Sequence, residues 1–334
     1  MGERTIINVS TDGGPWLSGR MSPGLPTRFL AFGAVPKSPV EKAIGVKSLL
    51  KYKASFDAAV ASKAEKASIV VSHLPTMSVK VAPFLRALSP QRPTHHLAFS
   101  WNFTELPKGL RLEMFKSVVG FIDGFVVYST FEIDLYSEYF GIDREKIHFL
   151  HWTRRYVHQT GENRIEDYVL AVGRSGRDYA TFMDAMRLLP GIRAIVVASK
   201  DNLQGLEIPK NVEVRTDIPF EEVRRLVNSA RISVIPLKRA DAPLGHGALV
   251  LGMFARRPMV VSRSPAFDDY VTEGESCLMF GSAQELADSV DKLWSDRSAA
   301  EEMGLRAFDF AMAHCREIHA VEWFERYLAG LPTQ

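Results

Sequence analysis

Two arginines that follow a short apolar segment in the second half of the chain could bind phosphate. The segment YVLAV, residues 168–172, has the side chains of a buried strand, and Gly173 ends it. Arg174 and Arg177 come next, before a helical pattern begins. One guanidinium group can donate two parallel hydrogen bonds to the oxygens of a phosphate. Open parallel sheets bind ligands at the carboxyl ends of their strands. The pattern predicts a diphosphate site. The alternative is that Arg177 pairs with Asp178 while Arg174 is solvated.

A glycine turn before another predicted helix could bind the same kind of group. In the segment PLGHGALVLGMFARRPMVV, Gly245, His246 and Gly247 precede the helix. Glycines let a ligand approach the backbone, and the free amides of a helix N-terminus attract phosphate oxygens. His246 could then donate a hydrogen bond to the ligand, and the alternative is that its imidazole bonds to its own turn.

Polar residues near two predicted strand ends of the first half could transfer protons. His73 ends one strand, and Asn102 and Glu105 follow another in the segment AFSWNFTELP. Histidine and carboxylate side chains are frequent general acids and bases. For His73 the alternative is a hydrogen-bonded histidine that caps its strand. Gly13 and Gly14, in a Gly- and Pro-rich passage after the first strand, are added as ligand-binding candidates.

Both halves alternate predicted strands with predicted helices, which is typical of parallel sheets with crossover helices. The first half has predicted strands at 5–9, 69–72, 96–100, 125–128 and 147–150, a possible strand at 29–33, and helices at 39–64, 78–88, 108–119 and 130–140. The second half has predicted strands at 168–172, 194–198, 212–215, 232–236 and 259–262, and helices at 178–188, 220–229, 247–256 and 283–295. Two α/β sheets in tandem predict a ligand cleft beyond the carboxyl ends of their strands.

The length of the chain indicates two domains. Its 334 residues are too many for one comfortable core, and the polar segment HWTRRYVHQTGENRIED follows the last strand of the first half. We therefore predict one domain over residues 1–155 and a second over residues 156–315. Residues 316–334 are predicted to form a helix that packs back on the first domain.

The composition predicts a water-soluble, cytoplasmic protein. Hydrophobic residues make up 46% and charged residues 24% of the chain, and no apolar stretch reaches the roughly 18 residues of a membrane-spanning helix. Two cysteines are too few for a disulfide scaffold or a zinc site with paired thiolates. No metal is expected.

The charge is divided unevenly between the halves. Residues 1–160 contain 20 basic and 13 acidic residues, whereas residues 161–334 contain 21 and 26. A basic first half indicates an anionic partner: a membrane surface, a phosphorylated acceptor or a nucleic acid. The alternative is a solvated, lysine-rich helix.

The order of the motifs in the second half resembles the C-terminal lobe of the family 4-like (group 1) retaining glycosyltransferases of the GT-B architecture. The resemblance covers about residues 168–300 and is carried by Gly173-Arg174, NVEVRTDIPFEEVRRLVNSARISVIPL, residues 245–258 and FDDYVTEGESCLMF. In the first half, YSTFEIDLYSEYFGIDREKIHFL is similar to the last helix and strand of the family's N-terminal lobe. The resemblance implies an α/β fold of GT-B architecture, with two Rossmann-like α/β/α domains that face a central cleft.

The activity that the resemblance implies is sugar transfer. The donor would be a nucleoside diphosphate sugar of the UDP or GDP type. The acceptor would be a glycan, a lipid-linked molecule or a small molecule. Retention of the anomeric configuration and independence of metal and cofactor are expected. A nucleotide-sugar epimerase of the same fold and a non-catalytic binding protein are the alternatives, and no nucleic acid partner is expected for either enzyme.

The resemblance also assigns roles to matching residues. Arg174 and Arg177 would bind the donor diphosphate. The amides of the helix start, at Gly245, His246, Gly247 and Ala248, would bind the donor phosphate and sugar. The base of the donor would lie against the backbone at Ser199, Lys200, Ile218 and Pro219. The family's two glutamates, the second of which binds the donor ribose, correspond to positions near Pro243 and at Leu251, so ribose recognition must differ. The family also tends to carry a histidine at the end of a strand of the N-terminal lobe, close to the transferred sugar, and Asn102 and Glu105 occupy that region here. These two residues and His73 are therefore the catalytic candidates of the first half. If the reaction inverts the configuration, Glu105 or His73 would be the base.

Two basic helices of the first half could contact an anionic membrane. One carries Lys42, Lys47, Lys51 and Lys53, and the other carries Lys108, Arg111 and Lys116 beside Leu110, Met114 and Phe115. Such helices bind the surface of anionic bilayers, which would place the protein at the inner face of the membrane. The alternative is that each helix packs on the core and turns its charges to water.

Overall fold

The protein forms two compact units. A computed structural model describes residues 3–36, 47–90, 94–158, 164–239 and 241–331, with Lys47 described by its backbone alone. The first unit consists of residues 1–150 together with residues 320–334, and the second consists of residues 151–319. Each unit contains one six-stranded parallel sheet.

The sheet of the first unit has the strand order β2-β1-β3-β4-β5-β6. Its elements are β1 (Arg4–Ser10), β2 (Thr27–Gly33), α1 (Lys47–Ala64), β3 (Ile69–His73), α2 (Pro75–Leu88), β4 (His95–Phe99), α3 (Leu110–Val119), β5 (Gly124–Val127), α4 (Phe131–Phe140) and β6 (Ile147–Phe149). Strands β3 (IVVSH) and β5 (GFVV) bury apolar residues at successive positions, as expected where helices cover both faces of a parallel sheet. The carboxyl ends of β1, β3 and β4 therefore lie along one edge.

The sheet of the second unit has the order β12-β11-β10-β7-β8-β9. Its elements are β7 (Glu166–Val172), α5 (Tyr179–Leu188), β8 (Ala194–Ala198), α6 (Lys200–Leu203), β9 (Val212–Thr216), α7 (Phe220–Ser229), β10 (Ala230–Ile235), α8 (His246–Phe254), β11 (Met259–Ser262), β12 (Leu278–Phe280), α9 (Ala283–Ser295) and α10 (Arg297–His314). Strand β7 is central: Val169 packs with the α5 face, and Tyr168 and Leu170 pack with the α7 face. A sheet wound in this way presents the carboxyl ends of β7, β8 and β9 beside the start of α8.

The last helix, α11 (Glu317–Gly330), completes the first unit. Phe324 and Leu328 are fully buried in a cluster with Ile6 and Val71 of the first sheet. Arg4 donates a hydrogen bond from Nη1 to the carbonyl oxygen of Leu328 over 2.6 Å. The first unit is thus built from two segments of the chain that are far apart in sequence.

The predicted fold class, α/β with two parallel sheets, is confirmed. The possible strand at 29–33 is β2, whereas β12 and α6 were not predicted. The start of the predicted helix at 39–64, including Lys42, and residues 159–163 of the predicted linker lie outside the described residues. No helix within the described ranges combines the length and the apolar character that crossing a membrane requires.

Candidate functional site

A cavity of about 350 Å³ opens in the second unit at the carboxyl ends of β7, β8 and β9. It is lined by Arg154, Val172, Gly173, Arg174, Arg177, Val197, Ala198, Asp217, Ile218, Phe220, Val223, Gly247, Ala248 and Leu251. A neighbouring cavity of about 550 Å³ shares Arg154, Phe220 and Leu251 with it. The first cavity lies where open parallel sheets bind their ligands.

The turn after β7 is built around a buried guanidinium group. Arg177 donates from Nε to the carbonyl oxygen of Val172 over 3.3 Å and from Nη1 to that of Ser175 over 2.9 Å. Gly173 has a φ of 149°, and a Cβ added there would lie 2.7 Å from Cζ of Arg177. Glycine is favoured at this position, because a side chain would be strained at this φ and would have to displace the guanidinium group from its carbonyl acceptors.

The alternative pairing of Arg177 with Asp178 is wrong. The carboxylate of Asp178 instead caps α5 and accepts hydrogen bonds from the amide and the hydroxyl of Thr181, over 3.1 and 2.7 Å. This arrangement is an ordinary N-cap, which stabilises the start of a helix. The charge of Arg177 consequently remains available to a ligand in the cavity.

Three guanidinium groups surround the cavity. Arg177 is buried and Arg154 is half-buried, and burial lowers the pKa of both side chains, although arginine stays protonated at any ordinary pH. The guanidinium group of Arg154 lies 4.9 Å from the ring centre of Phe220, while Arg174 is exposed. Asp217 is the one acidic residue among the lining residues, all of which belong to the described part of the chain. The cavity therefore has an excess of positive charge and favours an anionic ligand.

The start of α8 adds a backbone donor to the same wall. Gly245 has a φ of 99°, and a Cβ there would lie 2.8 Å from the ring of Phe267. This turn directs the first residues of α8 to the cavity, which Gly247 and Ala248 line. The amide of Ala248 donates to the carbonyl oxygen of Gly245 over 2.9 Å, so the backbone donor that lines the cavity at this helix start is the amide of Gly247, and such an end attracts anions.

His246 does not line the cavity with its side chain. Its imidazole is only 2% exposed and donates from Nε2 to the carbonyl oxygen of Ala266 over 2.9 Å. Burial lowers its pKa to about 4, so the ring is neutral at pH 7. The expected hydrogen bond from this imidazole to a ligand therefore has no support in the structure, and a role of the His246 amide stays a prediction.

The structure brings together part of the predicted binding set. Gly173, Arg174, Arg177, Ile218, Gly247 and Ala248 line one cavity, whereas Ser199, Lys200, Pro219, Gly245 and His246 are not among its lining residues. Ser199 precedes the short helix α6, and its hydroxyl donates to Asn202 over 2.6 Å. Pro219 is the residue before α7.

Sequence reasoning missed two charged residues of the cavity. Asp217 follows β9 directly, so the criterion that selected Arg174 after β7 would also have selected it. Arg154 lies in the polar segment that was interpreted as a linker, where no periodicity marks a binding residue. Its position in the cavity depends on tertiary packing alone.

Three of the remaining candidates, Gly13, Gly14 and His73, lie at the strand ends of the first unit. The amide of Gly13 donates to the hydroxyl of Ser10 over 2.8 Å. Asn8 donates from Nδ2 to the carbonyl oxygen of Gly14 over 2.9 Å, so its Oδ1 is the acceptor that faces Nε2 of His73 at 2.7 Å. His73 must therefore carry its proton on Nε2, and Nδ1 holds a lone pair. Burial lowers the pKa of His73 to about 4. Gly13 and Gly14 thus form a turn beside a neutral histidine.

The last two candidates follow β4, the strand next to β3. Asn102 is half-buried, and its backbone N–H donates to the carbonyl oxygen of Ser100 over 2.9 Å. Glu105 is exposed in the loop before α3. His73 pairs in register with Phe99, so the histidine and this loop belong to neighbouring strand ends of one sheet.

Comparison with known proteins finds similarity in sequence for the second half and in fold for nearly the whole chain. Residues 166–296 match the family model described as Glycosyl transferases group 1. No curated protein sequence matches the chain. Among solved structures, HepE from Anabaena in complex with UDP and glucose superposes with a TM-score of 0.75 at 13% identity, covering 98% of this chain and 100% of that one.

Two further solved structures are similar over nearly the whole chain. A glycosyltransferase from Rickettsia africae gives a TM-score of 0.72 at 12% identity and covers 99% of both chains. Sucrose-phosphate synthase from Thermosynechococcus elongatus gives 0.69 at 15% identity, covering 97% of this chain and 98% of that one. At these identities the similarity establishes the fold.

Proposed function

We propose, on the premise that this chain has the GT-B fold of glycosyltransferases, that it transfers a sugar from a nucleoside diphosphate sugar to an acceptor. The observation that carries the proposal is the cavity of the second unit, in which Arg154, Arg174 and Arg177 share a wall with the start of α8. This combination fits a diphosphate, because guanidinium groups and helix amides both bind phosphate oxygens. Apart from Arg154, the residues that line this cavity lie within residues 166–296, which match the family model.

The same groups supply the chemistry that the reaction needs. As the bond between the sugar and the β-phosphate breaks, negative charge develops on the diphosphate and is stabilised by fixed cations and amides. We propose that this stabilisation replaces a metal ion. The acceptor hydroxyl forms the new bond to the sugar on the same face, and its proton passes to the leaving phosphate oxygen, so that the configuration is retained. With inversion, a separate histidine or carboxylate base would take that proton.

Titration of the purified protein with UDP, GDP, ADP and TDP, without added metal, tests the proposal. Saturable binding of at least one of them is expected, and the matching nucleotide sugars should then be consumed in the presence of acceptor. Release of the nucleoside diphosphate with a new glycoside supports transfer, whereas a rearranged nucleotide sugar would show an epimerase. Binding without turnover would show a non-catalytic binding protein. Absence of binding by all four nucleotides contradicts the proposal.

We also propose that the first unit meets an anionic membrane. Helix α1 turns Ala54, Ala58 and other small residues inward, and four of its large apolar residues are exposed: Leu49, Tyr52, Phe56 and Val60. Their spacing of three and four residues places them on one face, which we call the α1 stripe. Lys51 and Lys53 lie on the same helix, and Leu110 at the start of α3 is 91% exposed. Apolar residues flanked by lysines are typical of helices that lie on anionic bilayers.

Binding to vesicles that contain phosphatidylglycerol is expected to weaken with salt and to depend on the α1 stripe. Leu49→Glu and Phe56→Glu should each reduce vesicle binding by roughly tenfold or more, because each removes one large apolar side chain from the bilayer and adds a negative charge. Co-sedimentation at two salt concentrations measures the effect. Leu188→Glu, a similarly exposed leucine of the second unit, is the matched control. Equal binding by all variants would remove the membrane proposal.

A further inference from the structure

Asp217 is unusual among the residues that line the cavity of the second unit. It follows β9, it is exposed, and it is the one carboxylate among the described lining residues. Its φ is 56°, in the left-handed region, which aspartate and asparagine adopt more readily than most other residues with a side chain. The turn after β9 thus places an acidic side chain at the wall of an otherwise basic cavity.

The strand order places Asp217 away from the phosphate-binding groups. Strand β8 lies between β7 and β9, so the end of β9 is about 10 Å from Gly173 and Arg174 at two strand spacings of about 4.8 Å each. In a nucleoside diphosphate the base is the part farthest from the phosphates. With the diphosphate at Arg174 and Arg177, the base reaches toward β9. Val197 and Ile218 supply apolar surface for a flat ring along the way.

The chemistry of a carboxylate selects among the bases. An ionised carboxylate only accepts hydrogen bonds. Guanine presents two adjacent donors on its pairing edge, the N1–H group and the 2-amino group, and these match the two oxygens of one carboxylate. Uracil and thymine present a single N–H group between two carbonyl oxygens, which would repel the carboxylate. Adenine presents an amino group beside an acceptor nitrogen.

We infer that Asp217 binds the pairing edge of guanine, so that the donor is a guanosine diphosphate sugar. This inference rests on the proposed function, because it takes the diphosphate to occupy the cavity at Arg174 and Arg177. Leu251, at the position of the family's ribose-binding glutamate, lines the same cavity and has no polar group that could bind the ribose. With Asp217 on the base, the nucleoside is recognised through its base instead of its ribose.

Calorimetric titration with GDP, IDP, XDP and UDP tests the inference. IDP lacks the 2-amino group of GDP, so the native protein should bind GDP roughly ten- to a hundredfold more tightly than IDP, as expected for a charge-assisted hydrogen bond. XDP carries a carbonyl oxygen in place of the amino group. Asp217→Asn exchanges one acceptor for a donor and should therefore reverse the preference, with XDP bound more tightly than GDP. Asparagine tolerates the left-handed conformation, so this variant should fold normally.

Asp217→Gly separates recognition from backbone conformation. Glycine adopts a positive φ without strain, so the melting temperature should not fall, while the preference for GDP over IDP should disappear. Tighter binding of UDP than of GDP to the native protein, with Asp217→Asn binding all nucleotides as the native protein does, would overturn the inference and leave the proposed function intact. Failure of every nucleoside diphosphate to bind would overturn both.

Discussion

Replacing Arg174 with alanine is expected to weaken the binding of a nucleoside diphosphate by roughly ten- to a hundredfold, which corresponds to about 1.5–3 kcal/mol. Arg174 is exposed and lies on the wall of the cavity directly after Gly173, where its guanidinium group can contact a bound phosphate. Because an exposed arginine contributes little to folding, the free energy of unfolding should change by less than about 0.5 kcal/mol. Calorimetric titration and chemical denaturation measure the two quantities.

Arg297→Ala provides the matched control for this experiment. Arg297 is also an exposed arginine of the second unit, but it pairs with Glu301 on α10 and does not line the cavity. This variant should bind the nucleotide as the native protein does. Unchanged affinity in Arg174→Ala would place the diphosphate elsewhere, and an equal loss in both variants would indicate a general effect of positive charge.

Gly173→Ala should lower both the stability of the second unit and its affinity for nucleotide. The added Cβ would lie 2.7 Å from Cζ of Arg177 at a φ of 149°. The guanidinium group would have to leave the carbonyl oxygens of Val172 and Ser175, and the backbone would remain strained. We expect a loss of about 2–5 kcal/mol in the free energy of unfolding, combining overpacking and backbone strain. Thermal and chemical denaturation measure this loss, and titration measures the affinity.

Gly191→Ala distinguishes the geometry of Gly173 from the general effect of replacing glycine. Gly191 is exposed in the same unit, and a Cβ there would meet nothing within 4 Å. The control should therefore be as stable as the native protein or slightly more stable, because alanine reduces the entropy of the unfolded chain. A Gly173→Ala protein as stable as Gly191→Ala would show that the turn yields and that Arg177 is not fixed by it.

The sheets were predictable because their strands carry an unambiguous apolar pattern. Segments such as 168–172 and 194–198 are apolar throughout and end at glycine or a polar residue, so the predicted and observed strand boundaries agree within two residues. Strand β12 has three residues and α6 has four, and at such lengths the apolar pattern identifies some elements, such as the three-residue β6, and misses others. The type of the longer elements could therefore be predicted from the apolar pattern. The short elements form only where neighbouring elements pack against them, and the sequence does not show those neighbours.

The candidate site was predictable where a residue follows a strand directly. Gly173, Arg174 and Arg177 come next to a strand end, and the structure places them on one cavity; their role in binding stays a prediction. For His246 the residue type was misleading, because its position at a helix start suggested a ligand, whereas the fold buries its ring against Ala266. Helix α1 was ambiguous in a similar way. Small residues can pack on a core as well as large ones, so the sequence did not show which face turns inward.

The position of Phe324 and Leu328 in the first unit has a consequence for the order of folding during synthesis. These side chains fill the core beside Ile6 and Val71, and Leu328 accepts the hydrogen bond from Arg4. A ribosome makes them only after the whole of residues 151–319, which form the second unit from one uninterrupted segment. Since domains generally fold as they emerge, the second unit can finish while the sheet that was made first still lacks part of its core. We therefore expect the earlier-made unit to be the later one to mature, and to depend longest on chaperones.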